Sequence, residues 1–248
     1  PQDDNPKAVL KNQIFKCTIV EIDQYGIELR LRSRQYNDSL FASIEYWNVE
    51  SDSLDSGFNT LYRSLFEFCN TKRPIKDLWL GLKPPRKGAE YTYDRVEALT
   101  EEQNVLLDRM TNTEDYFLLW GPPGTGKTSM MLKSLTERLY STTDENILLL
   151  AYTNKAVDEI CAAVESISID FAENYIRIGS RTSCNPIYRS RVLEAQIGTM
   201  TNRMEIKNLI GTKRIFISTV SSIMSRNDLF KLKQFDRVIV DEASQILE

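Results

Sequence analysis

The sequence predicts an α/β fold built on a parallel sheet with helices on both faces, preceded by a small antiparallel β unit and a helical stalk. Three observations carry this. Beyond Thr100, short apolar runs at 116–120, 147–152, 175–178, 214–218 and 237–240 alternate with helix-like segments near 100–110, 127–140, 155–166 and 193–210. Continuous apolar strands separated by helices are the pattern of a parallel sheet buried on both sides. A glycine-rich turn, Gly121 to Thr128, joins a predicted strand to a predicted helix. The last apolar run ends in two acids, Asp241 and Glu242.

Before Thr100 the texture differs. Ile27, Leu29 and Leu31 alternate with Glu28, Arg30 and Arg32, the period of a half-buried strand, and Asp23-Gln24-Tyr25-Gly26 supplies a turn. The stretch from Phe15 to Arg34 therefore reads as a hairpin, and Phe41 to Trp47 as a candidate further strand. Leu61, Leu65, Phe66 and Cys69 have helical spacing, and Arg73-Pro74, Pro84-Pro85 and Gly88 mark a linker. The expected organisation is a unit over 1–98, barrel-like with a helical stalk and linker, and an α/β domain over 99–248.

Bulk properties exclude several classes. The four cysteines (Cys17, Cys69, Cys161, Cys184) form no CxxC pair and histidine is absent, which argues against zinc, iron–sulfur or disulfide frameworks. A reducing, cytoplasmic (intracellular) setting is expected. No segment has the length of a membrane span, and the first residues show no signal-peptide pattern. A net charge of −4 gives no global attraction to polyanions, so any nucleic-acid surface must be a local patch.

Gly121-Pro122-Pro123-Gly124-Thr125-Gly126-Lys127-Thr128 matches G-x-x-x-x-G-K-[ST] in full. Its glycines let backbone N–H groups approach phosphate oxygens, and the helix that follows adds the positive end of its dipole. Lys127 would face the β- and γ-phosphates and the Thr128 hydroxyl would hold Mg²⁺, so ATP with Mg²⁺ is the expected ligand. Ser129, next in the helix, completes this turn. Val238-Ile239-Val240-Asp241-Glu242 places carboxylates at the mouth of the sheet, where ligands of open α/β folds bind. Asp241 would hold Mg²⁺ and Glu242 would orient or deprotonate the attacking water. Lys127, Asp241 and Glu242 form the expected catalytic group.

These segments, with Ala151-Tyr152-Thr153-Asn154-Lys155-Ala156-Val157-Asp158 and Asp241-Glu242-Ala243-Ser244-Gln245, resemble superfamily-one helicases. The branch resembled is that of the nonsense-mediated-decay helicase and the replication helicase–nuclease. The resemblance implies a RecA-like P-loop ATPase domain, an N-terminal β-barrel and stalk, and a partner strand of DNA or RNA. It also implies a second RecA-like domain, carrying an arginine finger, in the full-length protein. Within it, Gln103 would read the adenine edge, Gln245 would join the nucleotide site, and Thr153, Asn154 and Thr219 would touch the strand backbone.

Each of these has a plainer alternative. Thr100-x-x-Gln103 is also a capping box, and Thr153, Asn154 and Thr219 suit helix N-caps. Arg177, Arg181, Arg189 and Arg191, with no acid among them from Tyr175 to Val192, are candidate phosphate contacts or simply a solvated loop. A remodelling ATPase of the AAA+ type shares the glycine-rich turn, and a non-catalytic nucleotide switch is a third class. Intact Lys127, Thr128, Asp241 and Glu242 argue against the last.

Overall fold

The computed structural model describes residues 15–32, 39–50, 55–122, 124–198, 200–226 and 228–246. The chain divides into two compact units, the boundary falling between Phe66 and Glu67.

In the first unit, β1 (Cys17–Ile22) and β2 (Ile27–Leu31) pair antiparallel as the alternation predicts, with a register shift between Ile19 and Glu21. The Asp23 carboxylate closes the turn by accepting from the Tyr25 and Gly26 amides, both at 2.8 Å. The expected strand at 41–47 is not formed. A short helix, α1 (Ser39–Ser43), occupies its start, and an irregular stretch follows. Phe41 and Trp47 instead stack with ring centroids 5.2 Å apart, and Phe15 lies 5.0 Å from Phe41. Ring packing, available to either backbone shape, has won over strand propensity here. Helix α2 (Asp55–Asn70) runs across the unit boundary, and α3 (Arg73–Trp79) follows with a proline in its first turn, where a missing N–H costs nothing.

In the second unit, which begins within α2 and includes α3, α4 (Glu101–Thr111) is started by a complete capping box. The Thr100 hydroxyl accepts from the Gln103 amide, and the Gln103 side chain accepts from the Thr100 amide at 2.9 Å. A single π-turn (Lys127–Leu132) leads into α5 (Lys133–Thr142). Then come β3 (Ile147–Ala151), α6 (Asn154–Glu165), α7 (Ile169–Glu173), β4 (Tyr175–Ile178), α8 (Leu193–Ile197), α9 (Arg203–Thr212), β5 (Ile215–Thr219), α10 (Val220–Met224), α11 (Leu229–Leu232) and β6 (Arg237–Val240). The four strands form one parallel sheet in the order β4-β5-β3-β6.

Alternating side chains of β3 explain the layers. Ile147 and Leu149 point into a core with Leu107, Leu132, Leu139, Ile160 and Val164, contributed by α4, the π-turn, α5 and α6. Leu148 and Leu150 point the other way, onto Ile176, Ile178, Ile210, Phe216 and Ile223. A sheet apolar on both faces thus carries helices on both faces.

Two expectations of this unit are corrected. Residues 116–120 join no ladder. Leu119 packs on the core, while Leu118 and Trp120 face solvent. An apolar run states that a segment can be buried, whereas a strand also needs a partner's hydrogen bonds. The expected helix from 193 to 210 is two helices, because Gly198 takes φ +50 and ends α8, and Asn202 caps a fresh start at α9.

A buried ionic cluster ties α4 to α5. Arg138 bonds Asp108 at 2.7 Å and the Asp94 carbonyl at 2.9 Å, and lies over the Tyr93 ring. Breaking a buried pair from one side strands its partner charge. Arg138→Met is expected to lower the stability of this unit by about 3–5 kcal/mol in urea unfolding. Arg95→Met, which removes the half-exposed second partner of Asp108, is expected to cost about 1 kcal/mol or less.

Candidate nucleotide site

The glycine-rich turn lies between 116–120 and the π-turn, and its shape follows from its glycines. Gly124 and Gly126 both take φ +79, a region that L side chains rarely adopt. A Cβ on Gly126 would stand 2.8 Å from the Met130 sulfur, so this position also needs the space. The Gly126 carbonyl accepts from both the Met130 and Met131 amides, at 2.9 and 3.0 Å, which widens the first helical turn. Lys127 Nζ donates to the Gly121 and Pro122 carbonyls at 2.5 and 2.9 Å, and Thr125 Oγ1 donates to the Pro122 carbonyl. Pro123 lies outside the described residues.

Across the cleft, β6 pairs with β3 and its end lies beside the start of the P-loop helix, the π-turn and α5 taken together (127–142). The Thr128 hydroxyl donates to Asp241 Oδ2 at 2.6 Å, joining two residues 113 positions apart. Glu242 takes φ +51, the single non-glycine residue with positive φ among those described. Backbone strain of this kind concentrates at functional sites. Its carboxylate accepts from Gln245 Nε2 at 2.7 Å, so Gln245 sits in the site through Glu242.

Gly124, Gly126, Lys127, Thr128, Ser129, Asp241 and Glu242 line one cleft of about 590 Å³. Its far wall is α6 and the residue that ends it, through Glu159, Ala162, Ala163 and Ser166. These four escape sequence reasoning. Their spacing, 159, 162/163 and 166, is one face of a helix, but nothing in it says what that face meets. Gln103 is held in its capping box, which is one of its two readings.

The residues predicted to touch a strand differ in exposure and in partners. Thr153 caps α6, accepting from the Ala156 amide at 3.1 Å. Asn154 follows it in the first turn. Arg181 and Arg189 are exposed. Arg191 pairs with Glu165 at 3.4 Å, an acid contributed by α6 from outside the arginine run.

Two of the expected contacts are corrected. Arg177 is 0% exposed, because β4 turns it inward to pair with Asp158 at 3.0 Å, and a fully buried guanidinium reaches no backbone phosphate. Thr219 is 3% exposed and caps α10, its hydroxyl engaged with Ser221 and Ser222. Each is a residue type suited to phosphate at a sheet mouth, and each serves the scaffold.

Among the described residues no cluster of His, Cys, Asp or Glu has metal-site form, and no helix is long and apolar enough to cross a membrane. The four cysteines are free, and burial pushes the Cys161 thiol up to about 12, which leaves it inert.

The parallel sheet with helices on both faces, the phosphate-type turn and the Asp-Glu strand end fit a RecA-like α/β fold. Residues 98–205 match the protein family described as AAA domain. The chain is 28% identical to the DNA replication ATP-dependent helicase/nuclease of Schizosaccharomyces pombe, over 94% of the chain and 18% of that protein. Its counterpart in Arabidopsis thaliana is also 28% identical, over 82% of the chain and 15% of that protein. The Saccharomyces cerevisiae counterpart is 30% identical, over 63% of the chain and 10% of that protein. The chain is thus similar to these proteins and spans less than a fifth of their length.

Proposed function

We propose that this chain is the N-terminal, ATP-binding part of an ATP-driven helicase or translocase acting on single-stranded nucleic acid. The observation that carries the proposal is the 2.6 Å bond from Thr128 to Asp241, which unites the two segments that a Mg²⁺-nucleotide site requires. The residues present fit such a ligand. Two glycines at φ +79 free the turn to present its amides, and a hydroxyl and a carboxylate already converge.

In this reading Gly121, Pro122, Pro123, Gly124, Thr125, Gly126 and Ser129 surround the phosphates, and Lys127 offers its charge to the β- and γ-phosphates. Thr128 and Asp241 would hold Mg²⁺, which neutralises phosphate charge when bound. Glu242 would orient or deprotonate the attacking water, with Gln245 fixing its carboxylate. Gln103 would leave its cap to read adenine. Residues 1–98 would form the barrel-like unit, stalk and linker, and 99–248 the ATPase domain, completed in the full-length protein by a second RecA-like domain. An intracellular, reducing compartment suits four free cysteines.

The names of the relatives, which say DNA replication, favour DNA over RNA as the strand. The Thr153–Asp158 string and these relatives favour a helicase over an AAA+ remodelling ATPase, which shares only the turn. Strand binding would fall to Thr153, Asn154 and the exposed arginines. Arg181→Gln with Arg189→Gln is expected to weaken single-stranded DNA binding alike for all sequences. The slope of log affinity against log salt should become shallower by about 0.7 for each phosphate no longer neutralised. Fluorescence anisotropy at several salt concentrations measures both, and an unchanged slope would return these arginines to the solvated-loop reading.

A further inference from the structure

Arg177 is a charged side chain with no exposure and an incomplete set of partners. One nitrogen, NH2, donates to Asp158 Oδ1 at 3.0 Å and to Asn154 Oδ1 at 3.4 Å. The other Asp158 oxygen accepts from the Asn185 amide at 3.0 Å. Nε and NH1 are buried with no hydrogen-bond partner among the described residues. NH1 lies against Gly179, where φ is +149 and a Cβ would stand 3.1 Å from NH1 and 3.7 Å from the Ser222 hydroxyl.

One guanidinium therefore sits where three segments meet. They are the start of α6 with Thr153 and Asn154, the loop 179–185 with Arg181, and the start of α10 with Thr219 and Ser222. Each follows a strand of the sheet at its C-terminal end, where open α/β folds place their ligands. A well-packed apolar group would cost less at this position than a buried ion with two idle donors. Stability alone therefore accounts poorly for it.

We infer that Arg177 is a positioning residue, which sets the three strand-facing segments in one register through the Arg177–Asp158–Asn185 link and through its packing beside Gly179, whose side-chain position opens toward both NH1 and Ser222. The planar fork suits this task, since NH2 is fixed on α6 while NH1 is held rigidly beside Gly179. The inference rests on the proposed strand surface for its purpose, but its physical content is the coupling of the segments.

The test has two arms, both on the full chain. In Arg177→Met, hydrogen exchange is expected to lose protection together at 153–158, 179–185 and 219–222, by about tenfold, with 127–142 unchanged. A loss confined to one segment, or spread evenly through the P-loop helix, would overturn the coupling. In the second arm, affinity for a single-stranded DNA oligonucleotide is expected to fall about tenfold with no change in salt slope. A slope shallower by about 0.7 would make Arg177 a direct phosphate contact, and unchanged affinity would separate it from the strand; either overturns the inference. Should Arg177→Met not fold, Asp158→Asn, which keeps the side chain's shape, is expected to give the same joint loss at smaller amplitude. Wild-type chain that binds no strand would sink the proposed surface instead, and the exchange arm would still decide the coupling.

Discussion

Lys127→Ala is expected to weaken nucleotide binding by roughly 10²-fold or more, about 3 kcal/mol. Lys127 is the one cation among the described residues that line the cleft. Its ammonium is held against the Gly121 and Pro122 carbonyls, so it is already at the turn and spends little entropy in reaching a phosphate. Removing it leaves the turn amides as the sole positive elements facing the phosphate charges. Titration of a fluorescent ATP analogue into wild type and variant measures the difference. Lys127→Ala should leave urea unfolding nearly unchanged, because its partners are carbonyls at the edge of an open cleft. Equal affinity in the two proteins would remove Gly121–Thr128 from the site.

The second large effect concerns turnover. Charge that develops on a transferring phosphoryl group needs compensation beyond one lysine, and an arginine finger contributes about 10³- to 10⁵-fold in rate. No arginine lines the cleft among the described residues. Two buried arginines of the same unit are committed elsewhere, Arg138 to Asp108 and Arg177 to Asp158. On the proposed reading, the chain on its own is therefore expected to bind ATP but to hydrolyse it about 10³-fold or more below the rate of a motor completed by a second RecA-like domain. Glu242→Gln should change this low rate little. A steady-state ATPase assay with saturating single-stranded DNA checks it. Robust turnover that Glu242→Gln abolishes would mean that the cleft is completed by a group within the chain or by self-association.

How far the sequence can be read follows from how local each determinant is. The glycine-rich turn is legible because its shape is set by glycines within it, Gly124 and Gly126, and by the helix that follows. Strands 175–178 and 237–240 have the expected bounds because β-branched and aromatic residues make up three of the four positions in each. The capping box at Thr100 and Gln103 needs four consecutive residues and is present. Arg177 misleads because a buried and an exposed arginine look alike until the partner is known. That partner, Asp158, lies 19 residues earlier on a different element. The run 116–120 misleads for the converse reason: apolar content is local, but a strand's hydrogen bonds belong to its neighbour. Glu159 and Ser166 join the cleft only through the packing of α6 against the P-loop helix.

Everything proposed for this site depends on a Mg²⁺-nucleotide seating on Gly121–Thr128 and bridging to Asp241. A crystal structure of the chain with ADP and Mg²⁺ tests it most directly. The expected result is phosphate density against the amides of Gly124 to Thr128. The ion should stand within coordination reach of Thr128 Oγ1, having displaced the direct bond from Thr128 to Asp241. Nucleotide bound elsewhere, or phosphates remote from this turn while Thr128 stays bonded to Asp241, would contradict it.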